Sequence, residues 1–132
     1  MPVNSRGERA RLPLSTQVTP ASREVNVDEE LIIRVLLNLV QNSFESFDNP
    51  ANAAIFLEAG TAKNGKTWIK ITDNGPGIPP EIQDHIFVPF FTTKDGGNGI
   101  GLSLSKQIIN MHKGSLSLNS VPGEGTSFTI NI

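Results

Sequence analysis

The chain has 132 residues, 37% of them hydrophobic and 18% charged, with a net charge of −2. That length accommodates one domain, residues 1–132, and leaves no room for a second. Thirteen acidic against eleven basic side chains, with no dense Lys/Arg cluster, argue against nucleic acid as a partner, and the lack of cysteine excludes disulfides and thiolate zinc sites.

Residues 1–27 mix Pro, Ser, Thr and charge around alternating pieces such as RLPLSTQV, which read as a frayed start followed by one or two edge strands. MPVNSRGERAR lacks the apolar stretch of a signal peptide. The apolar run from Leu31 to Val40 is interrupted by Arg34 and Asn38 and falls short of the ~18 residues of a membrane span. A cytoplasmic chain without direct membrane contact is expected, consistent with the missing cysteine.

From about Asp28 to Phe47 the pattern is helical, with Asn26 and Glu29 as an approximate capping box and Asp48-Asn49-Pro50 as the stop. Arg34, Asn38, Gln41, Asn42 and Glu45 fall in one narrow stripe. Ile32, Leu36, Leu39, Val40, Phe44 and Phe47 occupy the opposite arc, so one face packs on a sheet and the other shows amides to something else.

The segments 54–58 and 67–72 flank the turn signal Lys63-Asn64-Gly65 and predict a hairpin whose second strand runs into DNGPG. Pro79-Pro80-Glu81 opens a short helix, and IFVPFFTTKDGG reads as a loop with exposed aromatics. Gly101 to His112 is a second long helix closed by Gly114, after which SLSLNS and TSFTINI alternate as a hairpin around VPGEG.

Three constellations carry chemistry. Asn38 and Asn42 project side by side from one helix face, and an amide oxygen is a neutral, hard ligand suited to magnesium. Taken alone, such a pair is usually a solvent-facing polar stripe. Asp73 ends an apolar strand before Asn-Gly-Pro-Gly, where a carboxylate can accept from an exocyclic amino group and would oppose the carbonyl oxygen of guanine; an Asp-capped turn is the competing reading. Gly97-Asn98-Gly99-Ile100-Gly101-Leu102 opens a helix, so its unpaired N–H groups suit phosphate, and its glycines suit equally a hinge that closes. GNGIGL lacks the last glycine of G-x-G-x-x-G and follows no apolar strand, and no G-x-x-x-x-G-K-[ST] exists, so Rossmann and P-loop folds drop out.

In order and spacing, NLVQNSFES, TDNGPGIP, IFVPFFTTK, GNGIGLSLSKQI and GEGTSF resemble the nucleotide-binding boxes of the catalytic ATP-binding domain of bacterial sensor histidine kinases, in the GHKL superfamily. The resemblance covers about residues 28–132. It implies an α/β sandwich (α+β), a mixed, mostly antiparallel sheet of about five strands covered on one face by three helices, with a mobile ATP lid over about residues 90–98. ATP and Mg2+ are the implied cofactors. Residue by residue, Asn42 would bind the metal, Asn38 would support the phosphate side, and Asp73 would hold the adenine amino group. Gly75, Gly77 and Ile78 would border the purine, and Thr126 would complete its pocket. Gly97, Gly99, Ile100, Gly101 and Leu102 would face the phosphates, and Lys94 would supply their cation, because Thr92 stands where many family members carry arginine. Asn38, Asn42 and Lys94 are thus the candidate catalytic residues, with Glu45 on the same stripe as a further nucleotide-facing residue.

Hydrolysing GHKL members carry a glutamate four residues before the metal-binding asparagine, where this chain has Asn38. Without that base, the γ-phosphate is better kept for an imidazole, although Glu45 could serve as a base. The reading is therefore an ATP-dependent histidine kinase module of a two-component system. Its partners would be the histidine-bearing dimerisation helices of a parent kinase and, indirectly, a response regulator. A GHKL hydrolase, a serine kinase and a non-catalytic adenine-nucleotide sensor are the alternatives. His85 and His112 lack a phosphoacceptor signature and read as structural or surface residues, so the sequence is expected to be an excised part of a longer chain.

Overall fold

A computed structural model describes residues 14–18, 27–47, 49–91 and 101–132. Strand β1 (Leu14–Val18) precedes helix α1 (Glu29–Glu45) and a 3-10 turn at Pro50–Asn52. Strands β2 (Ile55–Thr61) and β3 (Thr67–Asp73) form the first hairpin, followed by helix α2 (Pro80–Gln83), helix α3 (Gly101–Met111) and the terminal hairpin of β4 (Ser115–Val121) and β5 (Gly125–Asn131). The expected lid, with Lys94 and Gly97, lies outside the described residues except at its first two positions, Phe90 and Phe91, and Gly99 and Ile100 lie outside them as well.

The five strands form one sheet in the order β1-β2-β3-β5-β4. Only β1 pairs in parallel, with β2, and the other pairings are antiparallel, so the sheet is mixed and mostly antiparallel as expected. The parallel edge pairing has a simple cause: α1 lies between the two strands in sequence and provides the crossover that parallel strands require.

Register sorts the side chains. Ile71 stands beside Leu57 and Phe128, and Ile69 beside Ala59 and Ile130, so the apolar residues of neighbouring strands share one face. Helices α1 and α3 cover that face: Ile32, Val35 and Leu39 from α1, and Ile108 and Ile109 from α3, join Ile55, Ile71, Leu116, Phe128 and Ile130 in the core. Val35, Leu39, Ile71, Ile109 and Ile130 are fully buried, and each such side chain contributes about 1.5–3 kcal/mol relative to exposure. The third helix, α2, is a single turn beginning at Pro80.

The start of α1 differs from expectation. Asn26 lies outside the described residues. The cap is Asp28, whose carboxylate accepts from the Leu31 N–H at 3.2 Å. A second bond fixes the same residue, because the Asp28 N–H donates to His112 Nε2 at 3.1 Å while His112 Nδ1 donates to the Ile108 carbonyl at 2.8 Å. His112 is thus a structural clasp between the end of α3 and the beginning of α1.

Candidate functional site

Asp73 is the last residue of β3, and the sheet register places it between Ile55 of β2 and Thr126 of β5 on the helix-covered face. It is a buried carboxylate, only 5% exposed. Burial raises its pKa above the ordinary 3.8, and the N–H groups of Gly75 and Thr126 partly offset this, the Gly75 bond measuring 2.9 Å. The Ser43 hydroxyl, from α1, pulls in the same direction, although it does not reach hydrogen-bond geometry with any described partner. Hydroxyl and N–H groups, with no basic side chain among them, are what hold the charged form of Asp73 among the described residues.

Glycine makes room around this carboxylate. A Cβ on Gly75 would lie 3.0 Å from Asp73 Oδ1 and 2.9 Å from Ser46 Oγ. Gly125, at φ +135°, would drive a Cβ into the Asp73 carbonyl. Gly125 admits no side chain, and one on Gly75 would crowd the Asp73 carboxylate and Ser46, so the backbone walls of the cradle stay thin. Gly77, at φ +76°, answers another need: a Cβ there would meet the Val121 carbonyl at 2.5 Å. The DNGPG loop is fastened to the β4–β5 turn, with the Gly123 N–H donating to the Pro76 carbonyl at 2.8 Å and the Ile78 N–H donating to Ser120 Oγ at 2.8 Å. Ser120 Oγ also lies 2.9 Å from Thr126 Oγ1, which fixes the rotamer of the buried threonine. Asn74 anchors the other side, accepting from the Ala54 N–H at 2.8 Å and donating to the Asn52 carbonyl at 3.1 Å.

The amide stripe of α1 runs alongside. Asn38 is half-buried and turned toward α3: its Nδ2 donates to Ser105 Oγ at 3.0 Å, and its Oδ1 lies 2.5 Å from where a Gly101 Cβ would fall. Asn42 is half-buried and Glu45 is exposed, the latter accepting from Gln41 Nε2 at 2.9 Å. Thus Asp73, Gly75, Gly77, Ile78 and Thr126 gather at the ends of β3 and β5, while Asn38 meets Gly101 at the beginning of α3 and Leu102 follows half-buried. Lys94, Gly97, Gly99 and Ile100 are outside the described residues. Sequence reasoning missed Ser43, Ser120 and Gly125. Only Gly125, inside GEGTSF, stood within a quoted motif for the pocket's far wall; Ser43 gave no signal beyond lying next to Asn42.

The carboxylate at the end of β3, with its glycine walls and its neighbours on β5 and α1, agrees with what comparison with known proteins returns. Residues 27–132 match the model of the histidine kinase-, DNA gyrase B- and HSP90-like ATPases. The chain belongs to this GHKL family. Within it, the chain is 38% identical over 128 residues to the signal transduction histidine-protein kinase AtoS of Escherichia coli K12, covering 97% of this chain and 21% of that protein. It is 37% identical over 120 residues to the sensory histidine kinase/phosphatase NtrB of Vibrio alginolyticus, covering 84% of this chain and 34% of NtrB. The chain therefore spans about a fifth to a third of these relatives' length. Among solved structures, the GHKL domain superposes on the catalytic domain of histidine kinase ThkA with a TM-score of 0.78 at 30% identity, over 92% of this chain and 79% of that one.

The residues present fit an adenine nucleotide with magnesium. A buried carboxylate held by hydroxyl and N–H groups suits an amino-group donor, thin glycine walls suit a flat ring, and neutral amide oxygens from α1 suit a metal already carrying phosphate oxygens.

Proposed function

We propose that this domain binds magnesium-ATP and delivers the γ-phosphate to a histidine on helices outside this sequence, as the catalytic module of a two-component sensor kinase in the cytoplasm. The observation that carries the reading is Asp73, a buried acceptor walled by Gly75 and Gly125 and neighboured by Ser43, the residue after Asn42 on α1. In this reading Asp73 accepts from the 6-amino group and Thr126, its hydroxyl bonded to Ser120, closes the purine pocket beside Gly75, Gly77 and Ile78. Asn42 holds the metal, which when bound neutralises charge on the transferring phosphate. Asn38 sets the height of α3 so that the N–H groups from Gly97 to Leu102 face the phosphates, and Lys94 supplies the cation.

The hydrolase alternative needs a base. Asn38 replaces it at the expected position, and Glu45 is exposed and accepts a hydrogen bond from Gln41. A side-chain amide cannot take a proton from water, so hydrolysis would rest on Glu45 alone. In this reading the acceptor is an imidazole on the dimerisation helices, which pass the phosphate to a response regulator. Titration calorimetry with ATP, GTP and magnesium tests the binding half; magnesium-dependent binding of ATP well above GTP is expected. Equal affinity for the two nucleotides would place the base elsewhere.

A further inference from the structure

Asparagine followed by glycine is open to one spontaneous reaction, because a glycine carries no side chain to keep its backbone nitrogen from the asparagine amide carbon. The chain holds three such pairs, Asn64-Gly65, Asn74-Gly75 and Asn98-Gly99, the last outside the described residues. Exposure does not tell the first two apart, since both asparagines are exposed. Their hydrogen bonds do. Asn74 is pinned at both ends of its amide, to the Ala54 N–H and the Asn52 carbonyl, and Gly75 is buried with its N–H given to Asp73 Oδ1 at 2.9 Å. The Gly75 nitrogen has to lose that proton before it attacks, and a carboxylate beside it opposes the negative charge left behind. At the tip of the β2–β3 hairpin, residues 63–66 are all exposed. There Gly65, at φ +82°, donates to the neutral Ala62 carbonyl at 3.0 Å, and the Asn64 side chain accepts from the Lys66 N–H at 3.0 Å. Both are bonds within one exposed turn, and such turns open at small cost.

We propose that Asn64 is a modification site of this domain, deamidating at the hairpin tip, and that the fold holds Asn74 against the same reaction. The Gly65 nitrogen gives its proton to hydroxide and attacks Asn64 Cγ. The Cγ–Nδ2 bond breaks, the departing nitrogen takes a proton from water and leaves as ammonia, and a five-membered succinimide closes between the two residues. Water then opens the ring. Cleavage between the Gly65 nitrogen and Cγ yields aspartate; cleavage between that nitrogen and the main-chain carbonyl carbon yields isoaspartate, with the chain routed through the former side chain. One water enters as one ammonia departs, and nothing is oxidised or reduced. Either product places a carboxylate between Lys63 and Lys66, and isoaspartate also lengthens a turn now closed by the Ala62 N–H donating to the Lys66 carbonyl at 2.8 Å. The tip and Asp73 stand at opposite ends of β3, so this chemistry proceeds whatever the cradle binds.

The test compares the two positions with and without the fold. The 132-residue chain is incubated at mildly alkaline pH, folded and in parallel unfolded in guanidinium chloride, then digested at acidic pH and followed by peptide mass spectrometry at Asn64 and Asn74. A protein-isoaspartate methyltransferase with a labelled methyl donor scores isoaspartate at each position. In the unfolded chain the two should react at similar rates, because each is an asparagine before glycine. In the folded protein Asn64 should react about ten-fold faster than Asn74 or more, the effect of the additional hydrogen bonds that hold Asn74, and should yield both aspartate and isoaspartate. Equal rates in the folded protein would overturn the proposal, as would an Asn64 that stays unmodified while the unfolded chain is converted. A ten-fold contrast that persists undiminished in guanidinium chloride would overturn it too, since the protection of Asn74 would then lie in the neighbouring sequence and not in the fold.

Discussion

Asn38 Nδ2 on α1 donates to Ser105 Oγ on α3 at 3.0 Å, and the same amide fills the space a side chain on Gly101 would need. The first turn of α3 therefore rests directly on the amide face of α1, and under the proposed function this contact sets the height of the helix end that would face the phosphates.

Gly101→Ala should consequently be destabilising in spite of the better helix propensity of alanine. Its Cβ would fall 2.5 Å from Asn38 Oδ1, and overpacking of that kind costs about 1–3 kcal/mol. Urea unfolding of Gly101→Ala alone and in an Asn38→Ala background checks this. The loss should be much smaller in the second background, where the obstructing amide is gone; equal losses would mean that Asn38 is not what glycine accommodates.

Asp73→Ala should weaken ATP binding by about ten-fold or more, the loss of a hydrogen bond to a charged acceptor. The pH dependence has a definite sign. Because burial raises the Asp73 pKa above 3.8, the folded nucleotide-free protein protonates this group at higher pH than the unfolded chain does. At neutral pH the group therefore opposes folding; the opposition fades as pH falls through the raised folded pKa and is gone below 3.8. ATP affinity moves the other way, falling on acidification through the same window as the charged acceptor is lost. Calorimetry across pH should show that fall in the wild type and a flatter profile in Asp73→Asn, which should also be the more stable protein at neutral pH without nucleotide.

Much of this was legible in the sequence because it is local. The period of α1, the turn chemistry between β2 and β3, Pro80 at the start of α2 and Gly114 after α3 each depend on neighbours within a few positions, and each element formed where expected. What was not legible depends on contacts between distant segments. Asp28 reads as an ordinary helix start, and nothing local shows that His112 grips its N–H from 84 positions away. Ser43 reads as one more small residue until β3 brings Asp73 opposite it. The parallel pairing of β1 with β2 is likewise set by where α1 returns the chain.

His112→Ala should lower the stability of the fold while leaving nucleotide affinity nearly unchanged. It removes the bonds to the Asp28 N–H and the Ile108 carbonyl, each worth about 0.5–1.5 kcal/mol. Chemical unfolding and calorimetry on the same sample separate the two effects, and a loss of affinity without a loss of stability would contradict the structural role.

The central claim is that the γ-phosphate goes to a histidine and not to water. A radiolabel assay with γ-labelled ATP tests it most directly, run on the domain alone, with a histidine-bearing dimerisation helix pair added, and with Asn42→Ala. The account predicts trace release by the domain alone, acid-labile label on the added histidine, and loss of that label in Asn42→Ala. Robust phosphate release by the domain alone, abolished by Glu45→Gln, would contradict it.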